Sequence, residues 1–127
     1  MPVTIDSDSG ADHYQITLDK TGNDTGTIRL RSWPKGSNPA KVTPSKDDSY
    51  RLIRIKAAAD GGRIVCRADV LPFYHPTVTC TVNGPTNGAQ PSVEVAVAGH
   101  DDEYPVSQTD HDKIKAFIVA AHFPVLS

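Results

Sequence analysis

Positively charged side chains are the residues with the plainest chemical capacity in this sequence. Arg29 and Arg31, Arg54 and Lys56, and Arg63 and Arg67 stand at even spacing inside strand-like runs, so each pair shares one side of an extended chain. Groups arrayed that way can neutralise phosphates, while the hydroxyls of Thr77, Thr79 and Thr81 alongside let a base approach closely. An ordinary solvent-facing sheet carries the same residue types, so the pattern by itself leaves both readings open.

The other concentration of reactive groups is His100-Asp101-Asp102-Glu103, with Asp110, His111 and Asp112 close behind. Imidazole and carboxylate can ligate divalent metals. The run lacks the spacing of a metal motif, and adjacent side chains do not converge on one point, so a solvated loop and an acidic helix start are expected there. His13, His75 and His122 stand singly, and neither a Gly-x-Ser-x-Gly elbow nor a phosphate loop occurs. No catalytic residue, metal or cofactor is expected. Cys66 and Cys80 sit among Val, Ile and Thr and read as two buried thiols, with a disulfide open if their strands are neighbours.

Composition narrows the classes. The 127 residues suit one domain spanning the whole chain, 1–127. No apolar run approaches the ~20 residues of a membrane helix, and Met1–Asp6 has neither the basic nor the apolar part of a secretory signal. Asn23-Asp24-Thr25 is therefore read as a chance sequon. The net charge of −2 hides an asymmetry: eleven of the thirteen Lys and Arg lie between Lys20 and Arg67, while acids gather near both ends. Such a stretch fits a polyanionic partner if its bases share one surface.

Alternation of apolar and polar residues marks strands at 13–18, 27–31, 50–56, 63–71, 77–82 and 92–97, mostly linked by short turns such as Asp60-Gly61-Gly62. A Pro- and Ser-rich connection is expected from Trp33 to Lys46, and a break between Pro72 and Pro76. From Thr109 to Phe123, Ile114, Phe117, Ile118 and Ala121 fall on one helical stripe, with Thr109 as the expected cap and Pro124 as the stop. The predicted fold class is α+β: an N-terminal hairpin and a five- to six-stranded antiparallel meander, then a C-terminal helix.

Sorting the strands by parity gives an apolar set, including Ile64, Cys66, Ala68, Val70, Val78, Cys80, Val82, Val93, Val95 and Val97, opposite the polar one. A sheet of that many strands is about 25 Å wide, whereas one helix covers about 10 Å. A second sheet from the same chain or a helix donated by an identical chain could cover the rest; the strands are few for two sheets, so the expectation is an obligate homodimer in which Ile114, Phe117, Ile118 and Ala121 of each helix lie across a shared sheet.

Three stretches carry a family resemblance. Tyr50–Lys56, a Gly turn and Arg63–Val70 resemble the central strand pair of the coat proteins of single-stranded RNA bacteriophages, the leviviruses; Ser92–Val97 resembles their last strand; Thr109-Asp110-His111-Asp112 opens a helix as theirs does. The resemblance implies a virion protein, assembled in the bacterial cytoplasm. Such a protein dimerises, closes into a small icosahedral shell and binds a hairpin of the viral RNA for packaging and translational repression, without contact with a membrane. It places Arg54, Lys56, Arg63, Arg67, Ser92 and Glu94 on the RNA-facing surface, with Arg63 and Arg67 as phosphate contacts and Glu94 orienting an arginine. The alternatives are a monomeric β-rich adhesion or carbohydrate-binding module, and another phage head or tail component.

Overall fold

The computed structural model describes residues 2–71, 75–84, 88–97 and 100–126. Eight strands follow one another: β1 (Val3–Ser9), β2 (Asp12–Lys20), β3 (Gly26–Pro34), β4 (Lys46–Asp60), β5 (Arg63–Leu71), β6 (His75–Asn83), β7 (Ser92–Val97) and β8 (His100–Pro105), before helix α1 (Gln108–Ala121). Each strand pairs antiparallel with the next in one sheet, in sequence order. The architecture is thus the expected meander with a helix packed on it, with two strands more than the alternation marked. The break at Pro72–Pro76 and the loop at 84–88 fall partly outside the described residues.

Both additional strands lie at the sheet's margins. In β1, Val3 and Ile5 point inward with Ser7, which donates its hydroxyl proton to the Pro105 carbonyl of β8. In β8, only Tyr104 is a buried apolar residue, so the acidic run expected as a loop is a charged margin strand instead. Between β4 and β5 the chain reverses on Gly61 and Gly62, both at positive φ, as a two-residue hairpin turn requires.

The sheet does not stay flat. Strand twist accumulates across the eight strands, and β1 comes round to touch β8. The rings of Tyr14 on β2 and Tyr104 on β8 lie 5.1 Å apart across the interior. Inside, Ile5, Ile16, Ile28, Leu52, Ile55, Val82 and Val93 form the core, together with Cys66, Cys80, Ile114 and Ile118. Helix α1 packs against β1 and reaches β5 and β6.

This curl gives the apolar face a cover within the chain that a flat sheet would lack. The apolar face is covered by the rest of its own sheet and by its own helix. Among the described residues the large apolar side chains left exposed are Val42, Val119 and Val125, which do not make a face. The accessible area of 7217 Å² is within about a tenth of the roughly 6,600 Å² expected of a folded monomer of this mass. The predicted stripe is real, with Ile114, Ile118 and Ala121 buried and Phe117 half-buried, but it is spent on the chain's own sheet.

The helix also closes the margin of β1. Asp110 accepts from the Asp6 backbone N–H at 3.0 Å, and Lys113 donates to the Thr4 carbonyl at 3.1 Å, satisfying groups that an unpaired edge would leave open. The cap is Ser107 rather than Thr109: its hydroxyl accepts from Asp110 N–H at 3.1 Å, two residues before the expected start. His122 ends the helix in the left-handed conformation. The chain then pairs with β4 beyond the reach of β3, through Ala57 N–H to the Pro124 carbonyl (2.9 Å) and Leu126 N–H to the Ala57 carbonyl (3.0 Å).

Cys66 and Cys80 are direct cross-strand partners on β5 and β6, both buried and both free thiols. Burial pushes the Cys66 thiol up to about 12 and the Cys80 thiol higher still. Since the thiolate is the reactive form, neither should be alkylated by iodoacetamide at pH 8 in the folded protein, and both should react in concentrated guanidinium. Mass spectrometry reads the result; rapid labelling without denaturant would show the interior to be open.

Candidate nucleic-acid interface

The outer face of the sheet is polarised by which cations already have partners. On β3, Arg29 holds Asp47 of β4 in a two-pronged pair, Nε to Oδ1 at 2.9 Å and Nη2 to Oδ2 at 2.7 Å. That guanidinium keeps the Asp47 carboxyl below its ordinary range. Arg31 donates to the Gln15 side-chain oxygen and lies over the Trp33 ring, 5.2 Å from its centre. Trp33 is itself covered: its indole N–H donates to the Val42 carbonyl at 2.9 Å, so the irregular connection, which begins after Pro34, folds back over this part of the face.

The cations of β4 and β5 are arranged differently. A bulge between Ile53 and Lys56 puts Arg54 at a φ of 52°, turns Ile55 into the core and leaves both Arg54 and Lys56 outside. Arg54 Nε donates to Asp69 Oδ2 at 2.6 Å. Lys56 stands directly opposite Arg67 across the ladder, and among the described residues neither has an acidic partner at ion-pair distance. Like charges placed opposite one another cost a few tenths of a kcal/mol or more unless an anion lies between them. These residues line a shallow depression of about 200 Å³ with Asp69, Ala68 and Leu126. Three cations against one carboxylate give it an excess of positive charge.

Arg63 lies further along β5, exposed beside the hairpin turn. It faces the same side, and its charge acts on Glu94. Glu94, however, belongs to an acidic group. It is opposite Glu103, and burial together with Asp101 and Glu103 raises its pKa despite Arg63. Ser92 is buried between Asn83 and Pro105. The structure therefore brings together Arg54, Lys56 and Arg67, sets Arg63 nearby, and separates Ser92 and Glu94 from them. Arg51 also points outward on β4, a residue the sequence reading passed over because the bulge hides the strand's phase.

The acidic run at 101–103 is split by the strand: Asp101 and Glu103 lie outside with Glu94, and Asp102 points inward. Among the described residues no three His, Cys, Asp or Glu side chains come together as a metal site, and no helix is long and apolar enough to cross a membrane. Neither a protein-family model, nor a curated protein, nor a solved structure matches this chain.

Proposed function

We propose that the chain is a coat protein of the leviviral kind, which binds a single-stranded RNA hairpin on the outer face of β4 and β5 and joins copies of itself, through dimers, into a small icosahedral shell. The observation that supports RNA binding is the unneutralised opposition of Lys56 and Arg67 beside Arg54. Phosphates relieve that repulsion and release counterions when they bind. The acidic surface of β7 and β8 directs the RNA to the β4–β5 half. Shell assembly rests on the sequence resemblance. Because each chain covers its own core, assembly in this reading joins folded chains through exposed surfaces instead of completing an interior.

One observation favours a second reading. A sheet that closes over its own core is what a monomeric β-rich binding module needs. Expression of the chain alone separates the two. Uniform closed particles under the electron microscope, with RNA inside, are the expected result. A 13.6 kDa monomer on a sizing column with no affinity for RNA would replace the coat reading with the module. A monomer that does bind RNA would keep the face and remove the shell.

A further inference from the structure

Where β2, β3 and β4 meet β7 and β8 at one end of the curled sheet, the interior opens into a cavity of about 380 Å³. That volume is in the range of small-ligand pockets, and the mouth of a rolled sheet is a common place for one. Its floor is aliphatic, formed by Ile16, Leu30, Val95 and Val97. Three phenol rings stand above it: Tyr14 and Tyr104, tilted at 59° to one another, and Tyr50 two strands round from Tyr14. Four acidic residues line the same opening from three different strands, Asp12, Asp48 and Asp102 with Glu103 beside the last.

The positive groups at the opening do not cancel this. Arg31 is engaged by Gln15 and by the Trp33 ring. Lys46 reaches Asp48 only at 3.8 Å, and its side chain is 71% exposed. It behaves as a tethered cation at the rim, which a better-fitting one can displace. Tyr14 and Tyr104 remain neutral phenols over the ordinary pH range, because burial and the adjoining carboxylates raise both pKa values. Their ring faces therefore stay available to attract a cation.

We propose that this cavity binds a small alkylated ammonium ion, with the cationic head against Tyr14, Tyr50 and Tyr104, the charge balanced by Asp12, Asp48 and Asp102, and the methyl groups on the aliphatic floor. Aromatic faces and carboxylates select positive charge; the aliphatic floor selects alkylated over bare ammonium, since buried methyl groups gain what an N–H lacking an acceptor would lose. The site lies inside the sheet and is independent of the RNA-binding reading of the outer face.

Choline is a suitable probe, titrated into the folded chain and followed by backbone amide NMR shifts. Saturable shifts at β2, β4 and β8 are expected, with tetramethylammonium competing and sodium chloride at equal ionic strength not competing. Tyr50→Leu and Asp102→Asn alter groups at the opening; each should weaken binding about tenfold. Lys46→Ala, which frees Asp48, should tighten it severalfold. Thermal melts confirm that each variant folds. Shifts that fail to saturate, saturate alike in Tyr50→Leu, or are reproduced by glucose would overturn the proposal.

Discussion

Replacing Lys56 and Arg67 together by Ala should weaken binding of an RNA hairpin by roughly 50-fold at about 0.1 M salt and flatten the plot of log affinity against log salt by about 1.4–1.8 units. The size follows from counterion release, since each phosphate contact contributes a slope of about 0.7–0.9 and therefore nearly one decade between 1 M and 0.1 M salt. The two proteins should converge in affinity near 1 M, where that contribution vanishes. Arg29→Ala is the control: its guanidinium is already committed to Asp47, so the slope should barely change. Stability should move the other way. Removing like charges that face each other across β4 and β5 leaves the melting temperature unchanged or slightly raised. Filter binding or fluorescence anisotropy across a salt series measures the first effect and calorimetry the second. An unaltered slope in the double variant would take the RNA off this face.

The sidedness of that face was legible because period-two alternation reports orientation directly. Every residue of β5, β6 and β7 assigned inward from the sequence, from Ile64 to Val97, is buried. Alternation says nothing of curvature, however, so the same residues are compatible with a flat sheet needing a partner and with a curled one that needs none. The strands that complete the curl were the least visible. Asp102, the inward residue of β8 beside Tyr104, sits at the wet mouth of the sheet, so burial never required it to be apolar. In β4 the bulge places Leu52 and Ile55 inward three residues apart, a spacing no strand template matches. Which cations are neutralised was also hidden. The Arg29–Asp47 pair depends on how the long connection sets β4 against β3, and the crowding of Glu94 depends on β8. Local pattern fixes the side on which a residue lies, whereas register between distant segments fixes its neighbours.

The second large effect concerns the helix, where the two architectures make opposite forecasts. Ile118 is 3% exposed and Ile114 1%, both packed with the strands of their own chain. Truncating either to Ala removes a buried branched side chain and leaves a partly collapsed void, at a cost of about 2–5 kcal/mol. For a chain of this length 3 kcal/mol corresponds to a fall of about 10 °C in melting temperature. If the helix covers its own sheet, as described here, that fall should be the same across a hundredfold range of protein concentration, and the native melting temperature should likewise not depend on concentration. A helix that instead completes another copy's interior couples folding to association, so the melting temperature would climb as the chain is concentrated. Val119→Ala on the exposed side of α1 supplies the comparison, with an expected change of less than about 0.5 kcal/mol. Measured on unassembled chain, a concentration-dependent transition would show that the closed single-chain core is not the one the protein uses. A constant one would mean that any shell is built from units that are already folded.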